Sequence, residues 1–195
     1  MSHLCYPNTT CGFNNEIKST TNVISTNVVP SNKLLSLLTS DADNKWVQMY
    51  VPEVIDIPEQ KPDIEEIVSV TSCVEIISQR IIKTPVVQGY TNSQGIYIPG
   101  STISNAEGGK LTGRKLIITG MLKQKVIYTA LVSDQALHSA SYSMPFSTFI
   151  IIDADTPLSQ TFKVTPYIED VWAIFLSKRS IFKNSTIFIK ATPIR

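Results

Sequence analysis

Three cysteines carry most of the chemistry this chain could do. Cys5 and Cys11 lie in a polar N-terminal stretch, MSHLCYPNTTCGF, and Cys73 stands alone in SVTSCVEI. Cys5 and Cys11 have no apolar neighbours able to bury them. Cys73 falls on the parity opposite Val70, Val74 and Ile76, which turns it off the apolar face of a strand. An odd number of thiols points to pairing between chains. Other readings stay open: a Cys5–Cys11 bond, a bond from arm to body within one chain, or reduced thiols. A structural zinc site needs four nitrogen or sulfur ligands at tight spacings, which His3, Cys5 and Cys11 do not supply. His138 could pair with Asp134, Ser139 or Ser141 as a catalytic constellation, but no G-x-S-x-G elbow accompanies it. The carboxylates Glu59, Asp63, Glu65 and Glu66 sit on a proline-held entry to a strand, and Asp153 and Asp155 in a turn, so neither group reads as an acid/base pair. Asp41 to Asn44 lacks the glycine and distant glutamate of a calcium loop, and Gly108-Gly109 is too short to cradle phosphate. The expectation is a protein with no catalytic residues, no cofactor and no metal, whose candidate site residues are Cys5, Cys11 and Cys73 as intersubunit disulfide partners.

The elements that would position these residues are strands. Hydrophobic residues make up 43% of the chain and charged ones only 17%, below the usual quarter or so. Ser, Thr and Asn fill the difference. Such a surface is polar but weakly charged, and self-repulsion is small. The net charge is +1 with no basic block, which argues against nucleic acid as a partner. No apolar run is long enough to span a bilayer, and the N-terminus lacks the basic start and apolar core of a secretory signal. Ile64, Val68, Val70, Val74 and Ile76 share one parity of a strand. Leu116, Ile118, Leu122, Val126, Tyr128, Ala130 and Val132 share one parity of a longer strand, with Lys123 and Lys125 opposite and a bend at Gly120. Phe162, Val164, Ile168, Trp172, Ile174 and Leu176 line one face of another, which places Trp172 in the core. Pro52, Pro58 and Pro62 hold the chain extended between the strand at Trp46–Val51 and the next. Helix has support only around Leu34 to Leu38. The pattern predicts an all-β fold, an antiparallel β-sandwich with an extended N-terminal arm. Residues 1–45 form the connecting arm and 46–195 the β-domain, and Met1 to Pro30 should be dispensable for folding.

Three blocks in order resemble the SPOCS-domain family, named for its place in SipL, a spore-coat morphogenesis protein of clostridia. They are IPEQKPDIEEIVSVTSCVEI from Ile57 to Ile76, KLIITGMLKQKVIYTALVSDQALHSASYSMPFSTFIII from Lys115 to Ile152, and YIEDVWAIFLSKRSIFKNSTIFIKA from Tyr167 to Ala191. The resemblance covers roughly the last three quarters of the chain and does not touch the segment that holds Cys5 and Cys11. It implies a spore-envelope assembly role without catalysis.

SipL-type proteins carry several such domains and a peptidoglycan-binding LysM domain; this chain shows one SPOCS-like domain and no LysM. The expectation is therefore a structural, self-assembling subunit of the spore envelope: a surface fibre or appendage, or a coat or exosporium component. It would be a homo-oligomer or polymer, with other spore-coat proteins as further partners. Synthesis would take place in the mother-cell cytoplasm, whose lysis exposes the coat to air and permits disulfides. A monomeric adaptor that binds a coat morphogenetic protein is the alternative, and a carbohydrate-active or carbohydrate-binding sandwich a third.

Overall fold

Long runs of β-branched and aromatic residues at period two leave the backbone one economical solution, and the chain is built almost wholly of strands. The computed structural model describes residues 24–26, 28–39, 45–98, 100–106 and 109–194. His3, Cys5, Cys11 and residues 41–44 lie outside them. In chain order the elements are β1 (Ile24–Thr26), α1 (Ser31–Thr39), β2 (Lys45–Asp56), β3 (Ile64–Lys83), the short pairs β4 (Tyr90–Thr91) with β5 (Tyr97–Ile98) and β6 (Ile103–Ser104) with β7 (Lys110–Leu111), then β8 (Arg114–Ala130), β9 (Leu137–Ile152), β10 (Phe162–Phe175) and β11 (Ser180–Pro193). One sheet, here called A, has the order β1-β3-β8-β9; the other, B, has β10-β11-β2. All pairings within them are antiparallel except β1 with β3, which is parallel.

The sheets face each other over a single apolar core. Sheet A contributes Ile64, Ile67, Val70, Val74, Leu116, Ile118, Leu122, Val126, Tyr128, Phe146, Ile150 and Ile152; sheet B contributes Val51, Ile55, Phe162, Ile168, Val171, Ala173, Ile181, Ile187, Ile189 and Ala191. On β8 every even position from Leu116 to Ala130 is buried, as its sequence period predicts; Val132, beyond the strand end, is exposed. Gly120 sits where Phe146 crosses β8. A Cβ there would stand 2.8 Å from the Glu75 carbonyl oxygen and meet the Phe146 ring.

Bulges shift the register on both β3 and β10, and here the structure corrects the sequence. On β3 the register slips between Ile64 and Glu66 and again between Ile67 and Ser69. Two single-residue slips cancel, so Ile64, Ile67 and Val70 all face the core while Val68 is only half buried. On β10 one slip falls between Ile168 and Asp170. Phe162 and Ile168 are buried before it, Val171 and Ala173 after it. Trp172 is therefore 47% exposed on the outer face of sheet B, with Ile174 and Leu176 also exposed. The expected core position of Trp172 fails because strict alternation was carried across the bulge.

β1, Val29 and α1, upstream of β2, are stitched onto the sandwich. β1 extends sheet A at Ser69–Thr71 of β3, and the Val29 N–H donates to the Ile168 carbonyl of β10 at 2.8 Å. α1 buries Leu34, and the Lys190 ammonium donates to the Leu37 carbonyl at 2.6 Å, a cation at a helix C-terminus.

The connection from β2 to β3 is the IPEQKPD segment, and the β10–β11 turn clasps it. The Arg179 guanidinium donates to the carbonyls of Ile57 (3.1 Å), Pro58 (2.9 Å) and Lys61 (3.2 Å) and to the Asp63 carboxylate (2.7 Å). The Ile57 and Ile64 N–H groups donate to the Arg179 and Lys178 carbonyls, each at 2.8 Å. The Tyr128 hydroxyl donates to the Pro62 carbonyl at 3.2 Å, and the Tyr142 hydroxyl to the Asp56 carbonyl at 3.0 Å. Pro52 sits inside β2, which the sheet order allows because β2 is an edge strand.

Three outcomes follow from this geometry. Chemical denaturation of Ile187→Ala should show a loss of about 2–5 kcal/mol, whereas Trp172→Ala, which gives up only a half-exposed ring and its edge contact with Phe182, should lose no more than about 1.5 kcal/mol. Arg179→Ala should cost about 1–3 kcal/mol, and Arg179→Lys should not restore it, because an ammonium cannot span four acceptors in a fork. Burial, then the nearby Tyr128 and Asp56, push the Tyr142 pKa up to about 12. The folded state thus favours the neutral phenol, and stability that is fully present below the unfolded pKa of about 10 should fall as pH rises from there to about 12. Denaturation midpoints measured across that window should drop for the wild type and drop less for Tyr142→Phe.

Candidate functional site

Alternation on β3 places Cys73 on the outer face of sheet A, as its parity predicts, and the thiol is half buried there. Its register partner on β8 is Lys123, whose ammonium pairs with Glu75 at 2.6 Å. Thr71, where β1 ends, lies one strand period away on the same face. β1 runs parallel to β3, with Ile24 opposite Ser69 and Thr26 opposite Thr71. Cys5 and Cys11 fall outside the described residues.

The other sequence candidates resolve into structural roles. His138 on β9 is paired with Tyr128 on β8 and stacks on it, ring centroids 6.0 Å apart. Ser139 and Ser141 have the opposite parity on β9, so their hydroxyls leave the other face. Asp63 is engaged by Arg179, and Glu65 accepts a hydrogen bond from Gln135 at 2.9 Å. Asp153 pairs with Lys45 at 3.0 Å. Glu59 and Glu66 are exposed.

Two features escaped the sequence reading. The first is the outer face of sheet B. The bulge on β10 turns Trp172 and Ile174 onto the same face as Trp46, Tyr50 and Val54 of β2, and all five are exposed. Cross-strand register aligns Ile174, Phe182 and Val54 in one row, and Trp172, Asn184 and Pro52 in the next. Trp172 meets Phe182 edge-on at 5.8 Å, and Trp46 stacks on Phe188 at 5.5 Å. α1 lies at the Lys190 end of this face and leaves the Trp172 end open. Recognising the face needed the position of the bulge, which no residue type announces.

The second is a polar cluster inside the core. Glu53 of β2 and Lys183 of β11 are directly cross-strand, 2.8 Å apart, with side chains 3% and 0% exposed. Lys183 also donates to the Ser185 hydroxyl at 2.9 Å. Gln124 reaches across from β8 in sheet A and donates through Nε2 to the same Glu53 oxygen. A buried ion pair of this kind is costly to desolvate and gains only through well-formed hydrogen bonds. Burial pushes the Lys183 pKa down, opposed by its hydrogen bond and charge interaction with Glu53. The alternation I-x-K-x-S-x-I-x-I over Ile181–Ile189 signals that Lys183 and Ser185 share the inward face, although a lysine there reads as a surface residue until its partners are known.

No curated protein and no solved structure matches the chain. The family model described as "SipL, SPOCS domain" matches residues 63–175, from the Asp63 that Arg179 clasps to the last residue of β10. That range takes in β3, β8, β9 and β10, and so all of sheet A except β1 and one edge of sheet B. It spans more than half of the sequence, and the chain belongs to the SPOCS-domain family.

Proposed function

We propose that this protein is a non-catalytic structural subunit of the bacterial spore envelope that assembles with copies of itself. Membership of the SPOCS family supports a sporulation-related, coat-associated role. The observation that carries self-assembly is the open aromatic face of sheet B, with Trp46, Tyr50, Val54, Trp172 and Ile174 exposed together. Contiguous exposed apolar surface of this kind marks interaction sites. A net charge of +1 leaves little repulsion to oppose packing of like chains. No helix among the described residues is long and apolar enough to cross a membrane.

In this reading a neighbouring subunit covers the aromatic face, and the segment upstream of β1 docks on that neighbour and cross-links to it. The half-buried Cys73 is one disulfide partner, and Cys5 or Cys11 of the adjacent chain the other. The product is a fibre, appendage or coat layer on the spore surface, tightened by oxidation after the mother cell lyses. An adaptor that binds one coat morphogenetic protein through the same face is the alternative.

Negative-stain microscopy of the purified protein should show polymers. Trp172→Glu and Tyr50→Glu should abolish them while leaving a cooperative melt, since both side chains are exposed. Removal of residues 1–23 should do the same. Non-reducing gels of oxidised wild type should show a ladder of multimers that collapses in Cys73→Ser. A wild type that stays monomeric and acquires mass only with a second protein would favour the adaptor. Polymers without a ladder would remove the covalent link and keep the assembly.

A further inference from the structure

Glu53, Lys183 and Gln124 are the makings of a covalent bond. Lys183 offers an amine with no exposed side-chain surface. Gln124, 4% exposed, offers a carboxamide carbon. Both are hydrogen-bonded to one oxygen of Glu53, so amine and amide are held against the same proton carrier. The other end of the amide, Oε1 of Gln124, is buried and makes no hydrogen bond, and the hydroxyl of Ser72, the β3 register partner of Gln124, is likewise buried without one. An amide oxygen and nitrogen exchange places by a half-turn about the terminal bond. After that turn the Gln124 carbonyl faces Glu53, and a protonated Glu53 donates to it.

We propose that Lys183 and Gln124 join through an isopeptide bond, formed once within each chain with Glu53 as the proton carrier. The reaction begins with a proton passing from the Lys183 ammonium to the Glu53 carboxylate across their 2.8 Å contact, which leaves a neutral amine beside a neutral acid. The Nζ lone pair attacks Cδ of Gln124 while Glu53 hydrogen-bonds the developing oxyanion. Glu53 then carries a proton from Nζ to Nε2, the Cδ–Nε2 bond breaks, and ammonia leaves. The products are a secondary amide between Lys183 and Gln124, one ammonia and a protonated Glu53. No electrons are exchanged with any other group and no co-reactant is consumed. The outcome is favourable on physical grounds: a buried ion pair is replaced by a neutral acid hydrogen-bonded to an amide, which removes the desolvation cost of both charges.

The bond would tie β8 of sheet A to β11, the central strand of sheet B, through the middle of the core. It lies within one subunit and is indifferent to thiols, so it is independent of subunit assembly and of the cysteines.

The test is the mass of the purified full-length chain, reduced and unfolded. Wild type should be lighter than its sequence by one ammonia, and proteolysis with tandem mass spectrometry should yield a branched peptide that joins the Gln124 and Lys183 segments. Lys183→Met and Gln124→Met should keep the full mass, as should Glu53→Gln. Should Glu53→Gln fail to fold, Glu53→Asp, which retains the carboxylate at a shorter reach, should form the bond more slowly. Wild type of full mass after prolonged folding, or an ammonia loss that maps to any other residue, would overturn the proposal and leave an ordinary buried ion pair. A branched peptide that persists at the wild-type rate in Glu53→Gln would overturn the role of Glu53.

Discussion

Closure of two sheets over one core is the constraint on which everything else in this molecule depends. Sheet A and sheet B each present one apolar face, and neither is stable until those faces meet. The contact is led by β8 and β11, whose inward positions are almost all fully buried. Into that contact the chain inserts Glu53, Lys183 and Gln124, a charged cluster that apolar side chains of similar size would replace at little cost or with gain. In this alignment of the sheets Gln124 of sheet A and Lys183 of sheet B both reach one oxygen of Glu53. The same alignment brings an amine and an amide to one carboxylate.

Closing the sandwich leaves two seams and two outer faces. One seam is stitched by β1 and Val29, which add backbone hydrogen bonds to β3 and β10 where each would otherwise present an open edge. At the other, Tyr142 of β9 bonds the backbone of β2. The Arg179 clasp holds the chain where it crosses from one sheet to the other. The outer face of sheet A carries Cys73; that of sheet B is aromatic and open at the Trp172 end. The aromatic face and the thiol-bearing face are two distinct surfaces on opposite sides of the sandwich, the two that the proposed assembly would use.

Much of the fold was legible in the residues. Period-two alternation located β3, β8 and β10, aromatic and β-branched residues located the start of β2, and the even positions of β8 named its buried face without error along the strand. Those signals are local: each depends on the spacing of side chains along one strand. The position of Cys73 followed from the same rule, because the two slips upstream of it on β3 cancel. The three blocks that resemble the SPOCS family were visible for a related reason. They mark the Arg179-clasped crossing, the β8–β9 hairpin and the β10–β11 pair, where turn chemistry and strand pattern coincide.

The sequence by itself thus determined the fold class, the place of the long strands and the family. Tertiary structure alone decided which face of β10 turns inward and which charged residues are buried. A bulge is a property of two paired strands, so the fate of Trp172 could not be read from β10 alone. Lysine and glutamate at alternating positions look like solvent-exposed residues until cross-strand register sets Glu53 opposite Lys183 and the facing sheet supplies Gln124. Burial of a charge is a decision made by its partners, and those partners lie on strands far apart in the chain.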